Sequence, residues 1–225
     1  MADRMIVFDM DGVLVDVGES YRASIVETVH HITGQAITRE QIQEYKNQGG
    51  WNNDWALTQK ICEDLGQPIS YDTAVVEFNK IFFGPSGRGT DGLMAREQWI
   101  PQPGLLERIQ TRFDFGIFTG RIRFELDLTL ERSAPHLRFE AIVTADDVEN
   151  QKPHPEGLFK IAALDRERPL LYIGDTVDDA RAARAAQVPF IGIAAPHHGA
   201  ALPGLLRAEG ARHVLENINQ LENVL

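Results

Sequence analysis

The sequence predicts an α/β protein in which a parallel sheet covered by helices is interrupted by an inserted all-helical domain. Short continuous apolar runs, of which Met5–Phe8 is the first, alternate with helical patterns, as in sheets whose strands are buried on both faces. Between residues 18 and 97, by contrast, the periodic segments are helical throughout. We therefore expect a core formed by residues 1–17 and 98–225 and a helical insertion at residues 18–97.

The individual elements follow from apolar runs and from start and stop signals. Further strands are expected at residues 115–118, 141–144, 170–173, 190–193 and 213–215, and a terminal helix at residues 217–224. In the insertion, Thr38 and Gln41 form a capping-box pattern, and Gly34 and Gly66 follow helical segments as stop signals. Because strands and helices alternate outside the insertion, the strands are expected to be parallel with right-handed crossovers.

Composition excludes several classes of protein. The chain has 225 residues, of which 43% are hydrophobic and 24% charged, which is ordinary for a soluble globular protein. Its formal net charge of -11 argues against nucleic acid as a partner, and no apolar run has the length of a membrane span. Cys62 is the only cysteine, so we expect a packed thiol and a cytoplasmic protein. A monomer or homodimer is expected.

Two aspartates follow the first apolar run at the point where that strand should end. Asp9 and Asp11 are two residues apart, with Gly12 behind them to let the chain turn. Ligands of open α/β sheets bind at the carboxyl ends of strands. Two carboxylates this close repel each other, and Mg²⁺, which prefers oxygen ligands, relieves that conflict. One aspartate can then stay ionised as a nucleophile while the other handles a proton.

Two simpler explanations apply to this stretch. A calcium-binding loop is excluded, because a count of twelve from Asp9 reaches Ser20 where such a loop needs Glu. A plain polar turn remains an alternative when the stretch is considered alone.

Three more strand-to-helix junctions carry polar groups suited to phosphate chemistry. Thr119 and Gly120 offer a hydroxyl and a bare backbone amide that can hydrogen-bond a phosphoryl oxygen. Lys152, near the start of a helix, supplies a point positive charge. The last junction is acidic and supplies candidate metal ligands or groups that support them: Asp175, Asp178 and Asp179.

The order of these motifs resembles the haloacid dehalogenase-like superfamily. The motifs are Asp9-x-Asp11-Gly-Val-Leu-x-Asp16, Thr119-Gly-Arg, Lys152-Pro-x-Pro and Gly174-Asp-x-x-x-Asp179. The subgroup that it resembles contains the phosphoglycolate phosphatases and β-phosphoglucomutases, in which a helical cap separates the first two motifs. The resemblance implies a Rossmann-like core, with the insertion as a cap that selects the substrate, and a small phosphate ester as that substrate.

The same resemblance implies a role for each motif residue. Asp9 would form an aspartyl-phosphate, and Asp11 would protonate the leaving oxygen and then activate water. Mg²⁺ would bind Asp9, the backbone carbonyl of Asp11, and Asp175. Thr119, Gly120 and Lys152 would hold the phosphoryl group, while Asp179 and Asp178 would hold metal-bound water or support Lys152.

One loop of the insertion is a candidate for substrate selection. The stretch from Lys46 to Trp55 combines amides, glycines and indoles, and we single out Asn47, Gly50, Asn52 and Asn53 within it. The alternative is a turn in which Asn53 caps a helix and Trp55 packs in the interior. Arg121 has the same two interpretations, since it either contacts substrate or pairs with an acid.

The expected activity is that of a Mg²⁺-dependent phosphatase, with other functions left open. A sugar phosphomutase would use the same aspartyl-phosphate and return the phosphoryl group to the substrate. A phosphonate hydrolase would need a Schiff-base lysine in the insertion, for which Lys46 is a remote candidate. Dehalogenation is disfavoured because Asp11 would have no chemical role in that reaction. A non-catalytic binding protein on the same fold is the alternative outside enzymes.

Overall fold

The computed structural model describes residues 4–225 and divides them into two compact units. The first unit contains the described residues up to Val15 together with Trp99–Leu225, and the second contains Asp16–Gln98. The assignment of substrate selection to the second unit stays a prediction.

Among residues 4–225, eight strands form two sheets. In chain order they are β1 (Met5–Phe8), β2 (Val15–Asp16), β3 (Gln98–Trp99), β4 (Asp114–Phe118), β5 (Ala141–Val143), β6 (Leu170–Gly174), β7 (Phe190–Ile193) and β8 (His213–Leu215). The main sheet has six strands in the order β5-β4-β1-β6-β7-β8, and β2 pairs with β3 in a separate two-stranded sheet. Every pairing in the main sheet is parallel, which confirms the predicted α/β class.

The first strand occupies the middle of the sheet because all four of its side chains are apolar and buried. Met5 pairs with Asp114 of β4 on one side and with Leu170 of β6 on the other. The two neighbours place their carboxyl ends beside the end of β1. Three widely separated segments therefore finish at one edge of the sheet.

The described part of the first unit has five α-helices, and its helical segments depart from expectation in two places. They are α5 (Leu105–Gln110), α6 (Arg123–Ser133), α7 (Glu156–Leu164), α8 (Val177–Ala186) and α9 (Leu202–Ala208), with α1 to α4 belonging to the second unit. No helix was expected at α9. The predicted terminal helix was wrong in type, because Ile218–Asn223 is a 3-10 helix.

The second unit contains α1 (Tyr21–Thr33), α2 (Arg39–Gln48), α3 (Asp54–Asp64) and α4 (Tyr71–Phe83). The predicted capping box at Thr38 is present, since its side chain accepts from the Gln41 backbone and the Gln41 side chain accepts from Thr38. Asn53 caps α3, its Oδ1 accepting from the Ala56 backbone at 3.0 Å. Each cap satisfies backbone donors that the first turn leaves open.

Aromatic packing joins α1, α3 and α4 of the second unit. The ring of Tyr21 lies 4.3 Å from that of Phe82, and the Trp55 ring meets Phe78 edge-on at 6.4 Å. Trp55 also donates its indole N–H to Asn79 at 3.2 Å. A half-buried indole keeps its polar atom paired in this way, so Trp55 packs within the unit. Cys62 is buried as expected, and burial raises the pKa of its thiol.

Across residues 4–225, no helix combines the length and the apolar character that a membrane crossing requires.

Candidate active site

The polar residues that follow three central strands meet at the carboxyl edge of the main sheet. Asp9 follows β1, Thr119 follows β4 and Asp175 follows β6, while β4 and β6 flank β1. The side chains of Asp9, Thr119 and Asp175 are all buried. Lys152 comes from the segment between β5 and α7, and its ammonium reaches the same place.

The ammonium of Lys152 joins residues that are far apart in the sequence. Its Nζ lies 3.1 Å from Asp9 Oδ2 and 2.7 Å from Asp179 Oδ1, and it donates to the Tyr172 hydroxyl at 3.2 Å. Burial alone would lower the pKa of Lys152, but the charges of Asp179 and Asp9 outweigh it and hold this pKa above its ordinary value. Lys152 is therefore a fixed positive charge beside Asp9.

Both carboxylate oxygens of Asp179 accept hydrogen bonds from protein donors. Oδ1 accepts from Lys152 and from the Tyr172 hydroxyl, each at 2.7 Å. Oδ2 accepts from the backbone of Asp175 at 3.2 Å and from the Thr176 hydroxyl at 2.7 Å. Burial alone would raise the pKa of Asp179, but Lys152 and these hydrogen bonds hold it below its usual value. This carboxylate positions Lys152 and the chain around Asp175.

An acidic group at this edge fits a metal ion. Carboxylate oxygens of Asp9, Asp175 and Asp179 lie within 4.8 Å of one another. The three carboxylates together carry more negative charge than the single positive charge of the neighbouring Lys152 can neutralise. Hard oxygen donors in this number suit Mg²⁺ or a similar cation. Since Asp179 is held by protein donors, Asp9 and Asp175 are the side chains suited to direct coordination.

The environment of Asp9 opposes its ionisation in the absence of a metal. Burial raises the pKa of its carboxyl to about 7 against the opposing effect of Lys152, and the charges of Asp179 and Asp11 add to the rise. One oxygen of Asp9 also accepts from the Met10 backbone at 2.8 Å. A second positive charge in the site would favour the ionised, nucleophilic form.

Asp11 lies apart from the acidic group. Arg121 donates from Nε to Asp11 Oδ1 at 2.7 Å, and Arg121 itself is 1% exposed. Of the two interpretations of Arg121 left open by the sequence, the structure shows the pairing with an acid. The Asp11 carboxylate is not part of the metal-binding group; its expected metal contact, through the backbone carbonyl, stays a prediction, as does the supporting role of Asp178, which is buried.

Thr119 is buried at the end of β4, where its hydroxyl accepts from the Arg121 backbone at 3.1 Å. Its own N–H donates to Val143 of β5 at 3.0 Å. These bonds fix the turn that carries Gly120. The expected phosphate contacts of Thr119 and Gly120 remain predictions.

The loop singled out in the second unit is partly used for structure. Asn53 caps α3 and donates from Nδ2 to the Tyr71 hydroxyl at 3.0 Å, while Asn47 accepts from Gln43 at 2.9 Å. Lys46 pairs with Asp54 at 2.7 Å. The Nδ2 atom of Asn52 is buried without a hydrogen-bond partner in the described part of the chain. A Cβ added at Gly50 would meet open space.

Tyr172 is a site residue that the sequence analysis missed. It is fully buried in β6, and its hydroxyl contacts Lys152, Asp179 and the Phe118 carbonyl. The only signal in the sequence is a hydroxyl within the apolar run Leu170–Gly174, three residues before Asp175. A tyrosine in a buried strand is equally consistent with a residue that only packs in the core and has no role in the site.

Gly12 gives a prediction that separates backbone strain from damage to the site. A Cβ at Gly12 would lie 2.0 Å from Asp175 Oδ2, and its φ is +71°. Gly34 has nearly the same φ, +70°, but open space around it. We expect Gly34→Ala to cost only the strain of a left-handed alanine, about 1–2 kcal/mol, with activity preserved. Gly12→Ala should lose more stability and most activity, as measured by urea unfolding and turnover; equal effects of both substitutions would contradict this.

The chain matches the model of the haloacid dehalogenase-like hydrolase family over residues 4–187. It is 31% identical over 199 residues to an imidazoleglycerol-phosphate dehydratase of Phytophthora nicotianae, a match that covers 85% of this chain but 43% of the dehydratase. It is 26% identical to pyrophosphatase PpaX of Bacillus pumilus, over 84% of this chain and 82% of that protein. A haloacid dehalogenase-like hydrolase of Bacteroides fragilis superposes with a TM-score of 0.74 at 22% identity, covering 96% and 98% of the two chains.

The chain therefore belongs to the haloacid dehalogenase-like hydrolase family. The family model spans the sheet from β1 through α8, and with it every motif that carried the resemblance. This confirms the predicted family and the prediction that the chain is a hydrolytic enzyme. The similarity to the Bacteroides structure supports the fold alone.

Proposed function

We propose that this protein is a Mg²⁺-dependent phosphatase that hydrolyses a small phosphate ester through an aspartyl-phosphate on Asp9. The observation that carries the proposal is the pairing of Asp9 with the buried ammonium of Lys152 at 3.1 Å, with Asp11 two residues further along the same turn. A nucleophile, a cation for phosphoryl oxygens and a second carboxylate for proton transfer are thus available at one sheet edge.

In the first step, an oxygen of Asp9 attacks phosphorus and the bond from phosphorus to the ester oxygen breaks. Asp11 gives its proton to the departing oxygen, which leaves as an alcohol. Lys152 donates to a phosphoryl oxygen, and Thr119 with the Gly120 amide donates to others. Fixed donors of this kind stabilise the charge that spreads over the transferring group.

In the second step, Asp11 takes a proton from a water molecule as that water attacks phosphorus. The bond between phosphorus and Asp9 breaks, and inorganic phosphate and the free carboxylate result. Bound Mg²⁺ would supply positive charge to the transferring group from its position on Asp9 and Asp175. Asp179 keeps Lys152 in place through both steps.

The proposal is tested by measuring phosphate release from a panel of phosphate esters and anhydrides. The panel includes phosphoglycolate, sugar phosphates, inorganic pyrophosphate and p-nitrophenyl phosphate. EDTA should abolish release, Mg²⁺ should restore it, and Ca²⁺, with its larger and looser shell, should restore it poorly. Turnover that survives complete chelation would contradict the metal requirement. Transfer of phosphate between two positions of one sugar, without release, would identify a phosphomutase instead.

We further propose that Asn52 contributes to substrate selection. Its unpaired, buried Nδ2 atom is a donor that costs free energy unless a ligand or water accepts from it. Asn52→Ala should lower kcat/KM for the best natural substrate by about 5–150-fold, the equivalent of about 1–3 kcal/mol, and leave p-nitrophenyl phosphate largely unaffected.

Asn53 provides the matched control for this prediction. Asn53→Asp keeps an oxygen that can cap α3, so the variant should stay folded. Asn53→Ala should instead cost about 1 kcal/mol of stability through the lost cap, as measured by urea unfolding. Equal losses of the Asn52→Ala variant on both substrates would show that the loop serves only as scaffold.

A further inference from the structure

We infer that Arg121 is a positioning residue that holds the Asp11 carboxyl in the orientation needed for proton transfer to the leaving group. This inference rests on the proposed phosphatase function and concerns how one of its residues is controlled. The Arg121 side chain is 0% exposed, whereas the Asp11 side chain is 29% exposed. Asp11 thus has a buried side, which faces Arg121, and an accessible side.

The contacts of Arg121 converge on one oxygen of Asp11. Both Nε and Nη2 approach Oδ1, at 2.7 and 2.5 Å. Within residues 4–225, the other oxygen, Oδ2, accepts no hydrogen bond. A carboxyl held by one oxygen has a defined orientation and keeps the second oxygen available for a reacting group. Such an arrangement suits a group that must exchange protons with substrate and water.

A further contact fixes the guanidinium itself. Nη1 donates to the Thr129 hydroxyl of α6 at 2.7 Å, and Thr129 is fully buried. A planar guanidinium held at one end by Thr129 and at the other by Asp11 has little rotational freedom. The chain Thr129–Arg121–Asp11 therefore connects α6 to the turn after β1.

The leaving group of the substrate distinguishes this role from a purely structural one. An alkoxide is a strong base and departs only with a proton, whereas p-nitrophenolate departs without one. Positioning of Asp11 therefore matters for alkyl phosphates and much less for p-nitrophenyl phosphate. The ratio kcat/KM reports the steps up to departure of the leaving group and excludes hydrolysis of the aspartyl-phosphate. A general structural defect would lower kcat/KM for both substrates alike.

The test compares Arg121→Met with wild type on an alkyl phosphate and on p-nitrophenyl phosphate. We expect kcat/KM to fall about 10²-fold or more on the alkyl ester and less than about tenfold on the aryl ester. Asp11→Asn should show the same selective loss. Because residues that act as a unit are not additive, the double variant should be no worse than Asp11→Asn. Equal losses on both esters, or losses that multiply in the double variant, would overturn the inference.

Two further variants keep the test decisive if Arg121→Met folds poorly. Thr129→Val removes the acceptor of Nη1 and should produce the same selectivity with a smaller loss, about 3–10-fold on the alkyl ester. An unchanged ratio between the two esters would overturn the inference.

Arg168→Met removes another largely buried guanidinium, which pairs with Asp114 at the start of β4 at 2.8 Å. This control should lower stability and leave the ratio unchanged. Absence of phosphate release by wild type would refute the proposed function, a different result from any of these.

Discussion

Replacing Asp9 by Asn is expected to lower kcat on every phosphate ester by at least about 10⁴-fold. The amide has the size of the carboxyl but cannot displace the ester oxygen, so no aspartyl-phosphate forms. Lys152 keeps its bonds to Asp179 and Tyr172 at 2.7 and 3.2 Å in the variant. The fold should therefore remain intact, as measured by circular dichroism and urea unfolding alongside phosphate release.

A trapping experiment completes this prediction. Wild-type protein mixed rapidly with substrate and quenched in acid should carry phosphate on the peptide that contains Asp9, and the Asn variant should carry none. The variant should also still bind substrate, since the other phosphate contacts are unchanged. Turnover near the wild-type rate in a folded Asn variant would exclude the covalent mechanism.

Replacing Lys152 by Met is expected to have the largest effect on stability. The ammonium lies between Asp9 and Asp179, and both its side chain and theirs are at most 5% exposed. Removing it leaves two buried carboxylates without their shared partner, which should lower the free energy of unfolding by about 3–5 kcal/mol. The loss is measured by urea unfolding with EDTA present, so that no metal compensates for the missing charge.

A second substitution tests the cause of that loss. In the double variant Lys152→Met, Asp179→Asn, one unpaired charge is gone. The amide oxygen can still accept from the Thr176 hydroxyl, and the amide nitrogen can donate to the Tyr172 hydroxyl, which also has the Phe118 carbonyl to donate to. Much of the stability should therefore return. Lys60→Met is the matched surface control: Lys60 pairs with Asp64 at 2.6 Å but is exposed, and exposed pairs contribute little. A Lys152→Met variant no less stable than Lys60→Met would contradict this account.

The main sheet could be predicted because most of its strands are buried and therefore read as continuous apolar runs. The edge strand His213–Leu215 was also predicted, although its residues are exposed or half-buried and form no apolar run. The two-residue strands β2 and β3 carry no comparable pattern. The terminal segment was assigned the wrong helix type because apolar spacing does not distinguish a 3-10 helix from a single α-helical turn at a chain end.

For the candidate site, the sequence predicts which strand ends contribute residues to it. Strand ends in a parallel sheet meet at one edge, so Asp9, Thr119 and Asp175 are placed together by topology alone. Contacts that depend on side-chain direction could not be derived in this way. The sequence left Arg121 open between substrate and acid and gave no role to the Tyr172 hydroxyl. Both depend on distances of about 3 Å, which residue spacing along the chain does not determine.

The central position of β1 has a consequence for how the chain acquires its structure during synthesis. Met5 pairs with Asp114 and with Leu170, so β1 is synthesised long before its partners and must wait for them. Closing such long loops costs entropy before any pairing compensates for it, and folding dominated by distant contacts is slow. Until then the run Met5–Phe8, buried in the finished protein, is an unpaired apolar segment of a nascent chain. Transiently exposed apolar segments of this kind generally favour aggregation before folding is complete.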